Sequence, residues 1–352
     1  VLLLVKSLFL LALLVAGATN AWSADGRILS FEGDVRVNGQ PVTANTVLHS
    51  ADTIVTAAGA SVKIVLSDNS VLDIDSGSKI KLSDYSYNPA APKENKSEIS
   101  VVEGTLRYVS GLIAKEDPDN IGFTAGNSTI GVRGSFTGIE VDGVVVNVEA
   151  MIGEATLIRK DGDGQKDAIV VPTGQVTRTD PKTGKTLVTA STVANKVNEV
   201  VRAIAAVAPD ASNRSSTDEG CSEGVKPLRD VADPPTDAET AAAIEAQLAA
   251  LSNGDLMMVM AVLINNARHL CIDSDTVAAT IAMIATARPD ALNDVVNVAT
   301  LLDPDHADKY TAIATVPPDK DTNRQPLVNP VDPPINNEIP PGGGIGTPPS
   351  PE

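Results

Sequence analysis

Between residues 25 and 190 the chain repeats one pattern, short runs of alternating apolar and polar residues closed by Gly, Asp or Asn. Side chains on a strand point alternately to opposite faces, so each such run buries one face and wets the other. Val62-Lys63-Ile64-Val65-Leu66 and Val71-Leu72-Asp73-Ile74-Asp75 read this way, with Ser67-Asp68-Asn69-Ser70 as a hairpin-type turn between them. Lys79-Ile80-Lys81-Leu82 continues the alternation, and further runs cover 99–102, 105–109, 136–141, 144–148, 155–159 and 168–171. Their breaks, Glu103-Gly104, Asp142-Gly143, Gly153 and Asp161-Gly162, supply positive φ or side-chain-to-backbone hydrogen bonds. No amphipathic helix long enough for a βαβ unit separates the strands. The expected fold is therefore an all-β domain over 25–190, a sandwich or short β-solenoid of many short strands.

Aromatic residues make up only 3% of the chain against 43% hydrophobic, so the core must be built from Val, Ile, Leu and Ala. The net charge of −18 repels phosphate backbones and anionic lipid surfaces, so no nucleic-acid partner is expected. The charge is uneven. Residues 25–190 carry 22 acids and 16 bases, and residues 191–352 carry 23 acids and 10 bases, so the second half is a separate, more acidic region.

The first 23 residues read as an exported chain's signal peptide. Lys6 precedes the apolar run Leu8 to Ala16, and the small residues Gly17, Ala18 and Thr19 follow. Cleavage after Ala21 or after Ser23 both fit. The alternative is an uncleaved anchor, for which the run after Lys6 is short. On this reading the protein meets the membrane only through its N-terminal segment and is periplasmic or secreted.

Five motifs stand in order along the first half. They are Asp52-Thr53-Ile54-Val55-Thr56; Ser61 to Leu72, with Ser67-Asp68-Asn69-Ser70 at its turn; Val102-Glu103-Gly104-Thr105-Leu106-Arg107; Gly131-Val132-Arg133-Gly134-Ser135; and Val171-Pro172-Thr173-Gly174-Gln175. Together, over about residues 27–178, they resemble the FecR domain family. Ala51 and Asn69 stand where that family usually has Gly, and Ser135 where it has Thr. The resemblance implies an extracytoplasmic β-domain used for partner contact. Its best-known members relay the occupancy of an outer-membrane siderophore receptor to a sigma factor, which requires a cytoplasmic segment ahead of the membrane span. Arg133, flanked by Gly131 and Gly134 and followed by Ser135, is the candidate for contact with a ligand or partner.

From residue 191 the period changes. Val193, Val197, Val200, Val201 and Ile204 fall on one helical face. Further helices are predicted from Ala238 to Leu251 with Thr236 as N-cap, from Asp255 to about Leu270, and from Ser274 to Ala287. Pro-Asp steps at Pro209, Pro289, Pro304 and Pro318 recur as helix starts. Met257, Met258 and Met260 are assigned to core packing. The acidic helical region is placed at 191–315, and the Pro- and Gly-rich stretch 316–352 reads as a disordered tail. In an oxidising compartment Cys221 and Cys271 are a candidate disulfide.

Chemistry is sparse. Asp161, Asp163 and Asp167 have a calcium-loop-like spacing but lack the remaining ligands, so a polar hairpin tip is the simpler reading. His49, His269 and His306 share no metal-binding spacing, and no nucleophile elbow or phosphate loop occurs. No catalytic residue and no cofactor are expected. The sequence points to a non-enzymatic binding or scaffold module of the bacterial envelope that contacts a protein or glycan. The alternative is a FecR-type transmembrane regulator.

Overall fold

The computed structural model describes residues 24–160, 166–207, 237–267 and 272–315. The N-terminal segment 1–23, read from the sequence as a signal peptide, lies outside the described residues, as do Asp161, Asp163, Cys221, Cys271 and the stretch 316–352.

The period-two runs become 15 strands in one hydrogen-bonded sheet that folds back on itself into two facing layers. The first layer holds β1 (Gly26–Glu32), β4 (Val47–Leu48), β6 (Ser61–Leu66) and β7 (Val71–Ile74). The second holds β2 (Val35–Val37), β3 (Gln40–Pro41), β5 (Thr53–Thr56), β8 (Lys79–Ser86) and β10 (Ile121–Ala125). Three long strands, β9 (Lys96–Val109), β11 (Ser128–Asp142) and β12 (Val145–Lys160), belong to both. The first part of β9 pairs with β8 and β10, whereas Leu106 to Val109 pair with β7 and with Phe136 to Ile139 of β11. Likewise β12 pairs near Glu149 with β14 (Gln175–Thr179) and beyond Ala155 with β13 (Lys166–Val171). β15 (Thr186–Ala190) closes the first layer beside β14. Of the two expected architectures, this pairing makes the sandwich, with corners where long strands cross from layer to layer.

The corners explain two of the sequence motifs. Gly104, at the bend of β9, has φ +87°, and a Cβ there would lie 2.2 Å from Ser78 Oγ. On β11 and β12 the bends face each other. Gly134 pairs with Gly153, and a Cβ on Gly153 would lie 2.2 Å from the Gly134 Cα. Thr173 clamps the same point, its hydroxyl accepting from the Gly153 amide at 3.0 Å and donating to the Gly153 carbonyl at 2.5 Å. The glycines are there because backbone meets backbone.

Between the layers Ile54, Ile64, Leu72, Ile80, Leu82 and Ile99 are buried together. Tyr108 and Phe123 meet edge to face there with centroids 5.0 Å apart.

The described residues after 191 form a helical layer on the outer face of the first sheet layer. Its helices are α2 (Thr192–Val207), α3 (Asp237–Ala249), α4 (Asn253–Asn265), α5 (Ser274–Ala287), α6 (Leu292–Leu302) and α7 (Ala307–Thr315), and a short α1 (Leu112–Glu116) belongs to the sandwich. α5 runs over the predicted residues. α4 begins two residues before its predicted start, because Ser252 caps it by accepting from the Asp255 amide at 3.1 Å. Pro304 opens the turn that leads into α7, as the Pro-Asp steps imply. Among the described residues no helix is long and apolar enough to cross a membrane.

α4 is apolar on all sides because it is covered on all sides. It packs on β7, β9 and β11 and is flanked by α2, α5 and α6. Met257, Met258 and Met260 are buried with Val65, Val71, Val109, Phe136 and Met151 of the sheet in one shared core. The first layer is therefore buried on both faces. In β7, Leu72 and Ile74 face the inner core, while Val71 faces the helices.

Candidate partner-binding seam

One cross-strand row decides what lies at the border of the helical layer. Lys63 on β6 stands opposite Asp73 on β7, and Asp73 opposite Arg107 on β9. Arg107 stands opposite Gly138 on β11, and Gly138 opposite Glu149 on β12. Two residues along each strand the neighbouring row is Val65, Val71, Val109, Phe136 and Met151, all beneath the helices. The helical layer ends over the charged row, where the first turn of α4 lands on it. A Cβ on Gly254 would sit 3.4 Å from both Asp73 Oδ2 and Lys63 Cε.

Asp73 is the buried centre, its side chain 0% exposed. Lys63 Nζ lies 3.3 Å from one of its oxygens and Arg107 Nη2 3.2 Å from the other. Both are charge contacts without hydrogen-bond alignment. Burial raises the Asp73 carboxyl above its ordinary value, and the pull of Arg107 and Lys63 does not overcome it. Burial opposes the Arg107 charge, but Asp73, Asp75 and Asp255 outweigh it and hold the guanidinium firmly protonated. Arg107 also donates to Asp75 at 3.3 Å and, through Nη1, to Asp255 Oδ1. The other Asp255 oxygen accepts from Ser252 Oγ at 2.7 Å, so one carboxylate both braces the start of α4 and binds the sheet.

Gly138 carries no side chain into this row, which leaves a cleft of about 370 Å³ between Arg107 and Glu149. Glu140, Arg178 and Asp255 rim it, and Met151, Val176 and Val193 give it apolar walls. The arrangement offers charge contacts and a small apolar surface. Among the described residues no group of His, Cys, Asp and Glu side chains is arranged to hold a metal ion.

Further polar ties join the layers at the other end of α4. The Asn265 amide donates to the Asn69 carbonyl at 2.7 Å and to the Ser110 carbonyl at 3.2 Å. Asn69 Nδ2 donates to the Leu302 carbonyl at the end of α6, at 3.4 Å. Its neighbour Asp68 is buried and accepts from Ser70 Oγ at 2.6 Å and from the Tyr85 hydroxyl at 3.0 Å. Burial and the nearby Asp68 charge push the Tyr85 hydroxyl upward. The Asp68-Asn69-Ser70 turn is thus a docking point for the helical layer.

The residues singled out by sequence lie elsewhere. Arg133 is 72% exposed on its side chain and faces Asp119 at 3.6 Å. Gly131 has open space at its Cβ position, Gly134 is part of the corner with Gly153, and the buried Ser135 accepts from the Ser110 amide at 3.0 Å. Asp167 is exposed on β13 opposite Arg159, on the hairpin expected there. Asp73 and Arg107, the centres of the row, do not stand out in the sequence. The available signal was that both are charged residues inside apolar strand runs, Asp73 in Val71–Asp75 and Arg107 at the end of the motif Val102–Arg107.

Residues 52–156 match the family model described as FecR protein, so the resemblance carried by the motifs holds over that stretch. These residues run from β5 through most of β12 and include the whole row from Lys63 to Glu149. No curated protein matches the chain in sequence. Two crystal structures of a candidate anti-sigma factor from Parabacteroides distasonis ATCC 8503, at 2.50 Å and 1.65 Å resolution, are similar to it at 12% identity, with TM-scores of 0.33 and 0.32. Each similarity covers 43% of this chain, and the chain spans 64% of the length of those proteins.

Proposed function

We propose that this chain is the extracytoplasmic, non-catalytic part of a FecR-type signalling regulator, with the sandwich receiving a protein partner. The observation that carries the reading is the FecR match over 52–156. It falls on the strands that make both layers and the ionic seam. The helical layer shares a core with the sandwich. A partner that moves either one therefore strains the seam, which is what a relay needs. Export by the N-terminal segment would place the module in the periplasm. The test is deletion of the gene followed by measurement of transcripts. A small, coherent set of genes under one sigma factor should change, and restoring the chain with Arg107→Ala should not rescue that set. An unchanged transcript profile would remove the signalling reading.

The second reading is an envelope binding or spacing module without signalling. The acidity of residues 191–352, with 23 acids and 10 bases, favours it, since a solvated acidic body suits a spacer. It predicts loss of an envelope assembly on deletion with transcripts unaltered.

A further inference from the structure

One edge of the first layer, β15, differs from most of the described molecule in charge and polarity. β15 hydrogen-bonds to β14 on one side and to no other strand among the described residues. Its sequence, Thr186-Leu187-Val188-Thr189-Ala190, has no charge, proline or bulge to block pairing. Edges of this kind normally carry such a guard, because their free amides and carbonyls template another strand. By contrast β13, which also pairs on one side only, begins with Lys166-Asp167.

The segment that carries this edge reverses the sign of the chain. Residues 171–207 hold five bases, Arg178, Lys182, Lys185, Lys196 and Arg202, against two acids, Asp180 and Glu199, within a protein of net charge −18. All five bases are exposed. Leu187 and Val193, 54% and 47% exposed, add apolar surface to the same corner. Arg178, opposite Leu187 across the strand pair, and Val193 also line the seam cleft.

We infer that β15 is a strand-addition site for an extended acidic segment of a partner protein. The partner's backbone would pair with the edge, its acidic side chains would meet Arg178, Lys182 and Lys185 beside it, and its apolar side chains would cover Leu187 and Val193. Main-chain pairing supplies affinity and the charge pattern supplies selection. A second copy of this chain is the less suitable occupant, because pairing β15 with itself would set like-charged corners against each other.

This inference rests on the reading of the chain as a protein-contact module, and its test is separate from the transcript test. Full-length protein is titrated into a labelled peptide of alternating Glu and Val. The same is done with a Lys-Val peptide and with a Glu-Val peptide N-methylated on alternate amides. The Glu-Val peptide should bind, and the other two should bind at least about tenfold more weakly. Lys182→Glu with Lys185→Glu, or Leu187→Glu alone, should weaken binding by a similar factor. These positions are exposed, so folding is retained. Equal binding of the methylated peptide, or indifference to all three substitutions, overturns the inference. So does self-association abolished by Leu187→Glu in the absence of peptide binding. Peptide binding together with an unchanged transcript profile keeps the edge and removes the signalling role.

Discussion

Arg107 on the sheet and Asp255 on the first turn of α4 bind each other across the boundary between the two halves of the chain. The same guanidinium holds the buried Asp73, and the same carboxylate braces the helix start through Ser252. The two substitutions that break this pair are therefore unequal. Arg107→Ala leaves Asp73 buried with Lys63 alone and should cost about 3–5 kcal/mol. Asp255→Ala leaves Arg107 with Asp73 and Asp75 and should cost roughly 1.5–3 kcal/mol. Urea titrations of the single and double variants should give a coupling of about 0.5–3 kcal/mol. Additive losses would show that the contact does not join the halves.

The raised Asp73 carboxyl gives a second, pH-dependent expectation. In the unfolded chain an aspartate titrates near 3.8, and in the folded chain this one releases its proton at higher pH. Between those values the folded state holds the extra proton, so the Asp73 contribution to stability is present below 3.8 and declines as pH rises through the folded value. Asp290 has the opposite sign. The hydrogen bond from Arg288 lowers it to about 2, so its stabilisation is present above 3.8 and fades as pH falls toward 2. Asp73→Asn should remove the first trend and keep the second. Measured by chemical denaturation at a series of pH values, the stability of the parent relative to Asp73→Asn should fall as pH rises from about 4. A difference independent of pH would contradict the burial argument.

Two departures from the family pattern share one backbone requirement. Ala51 has φ +74° and Asn69 has φ +67°, both in the left-handed region that glycine occupies without strain. Ala51 is exposed, and its side chain brings no compensating bond. Ala51→Gly should therefore stabilise the protein by about 1 kcal/mol, read as a rise in the melting temperature. Asn69 tolerates the conformation better, and its side chain reaches the Leu302 carbonyl. Asn69→Gly should bring no gain and a loss of roughly 0.5–1.5 kcal/mol through the missing bond. Equal gains from both substitutions would mean that the contact with α6 contributes nothing.

The strands were legible because period two survives wherever one face is buried, and the helices because α2 and α5 follow their apolar spacing. Asp73 was not legible as a buried charge. Its place between Leu72 and Ile74 is the same in a one-sided strand and in a strand covered by helices. Only the position of α4, set by residues almost two hundred places further on, makes the difference. Arg107 was hidden for the same reason. Arg133 drew attention because two glycines flank it, yet those glycines have different jobs that only the paired backbone of β12 reveals.

That difference gives the sharpest test of the corner. Gly131 and Gly134 belong to one motif and lie three residues apart on the same strand. A Cβ at Gly131 meets nothing within 4 Å. At Gly134 it would lie 2.5 Å from both the Gly153 Cα and the Ile152 carbonyl oxygen, backbone atoms that Thr173 and the paired strand hold in place. Gly131→Ala should be neutral to within about 0.5 kcal/mol. Gly134→Ala must push β11 and β12 apart where they cross between layers, and by analogy with overpacked cores it should cost about 1–3 kcal/mol or more. Hydrogen exchange on Gly134→Ala should show faster exchange on both strands around the bend, including the amide of Ser110, which donates to Ser135. Equal tolerance at the two positions would mean that the strands do not pinch there, and the two-layer arrangement would lose its corner.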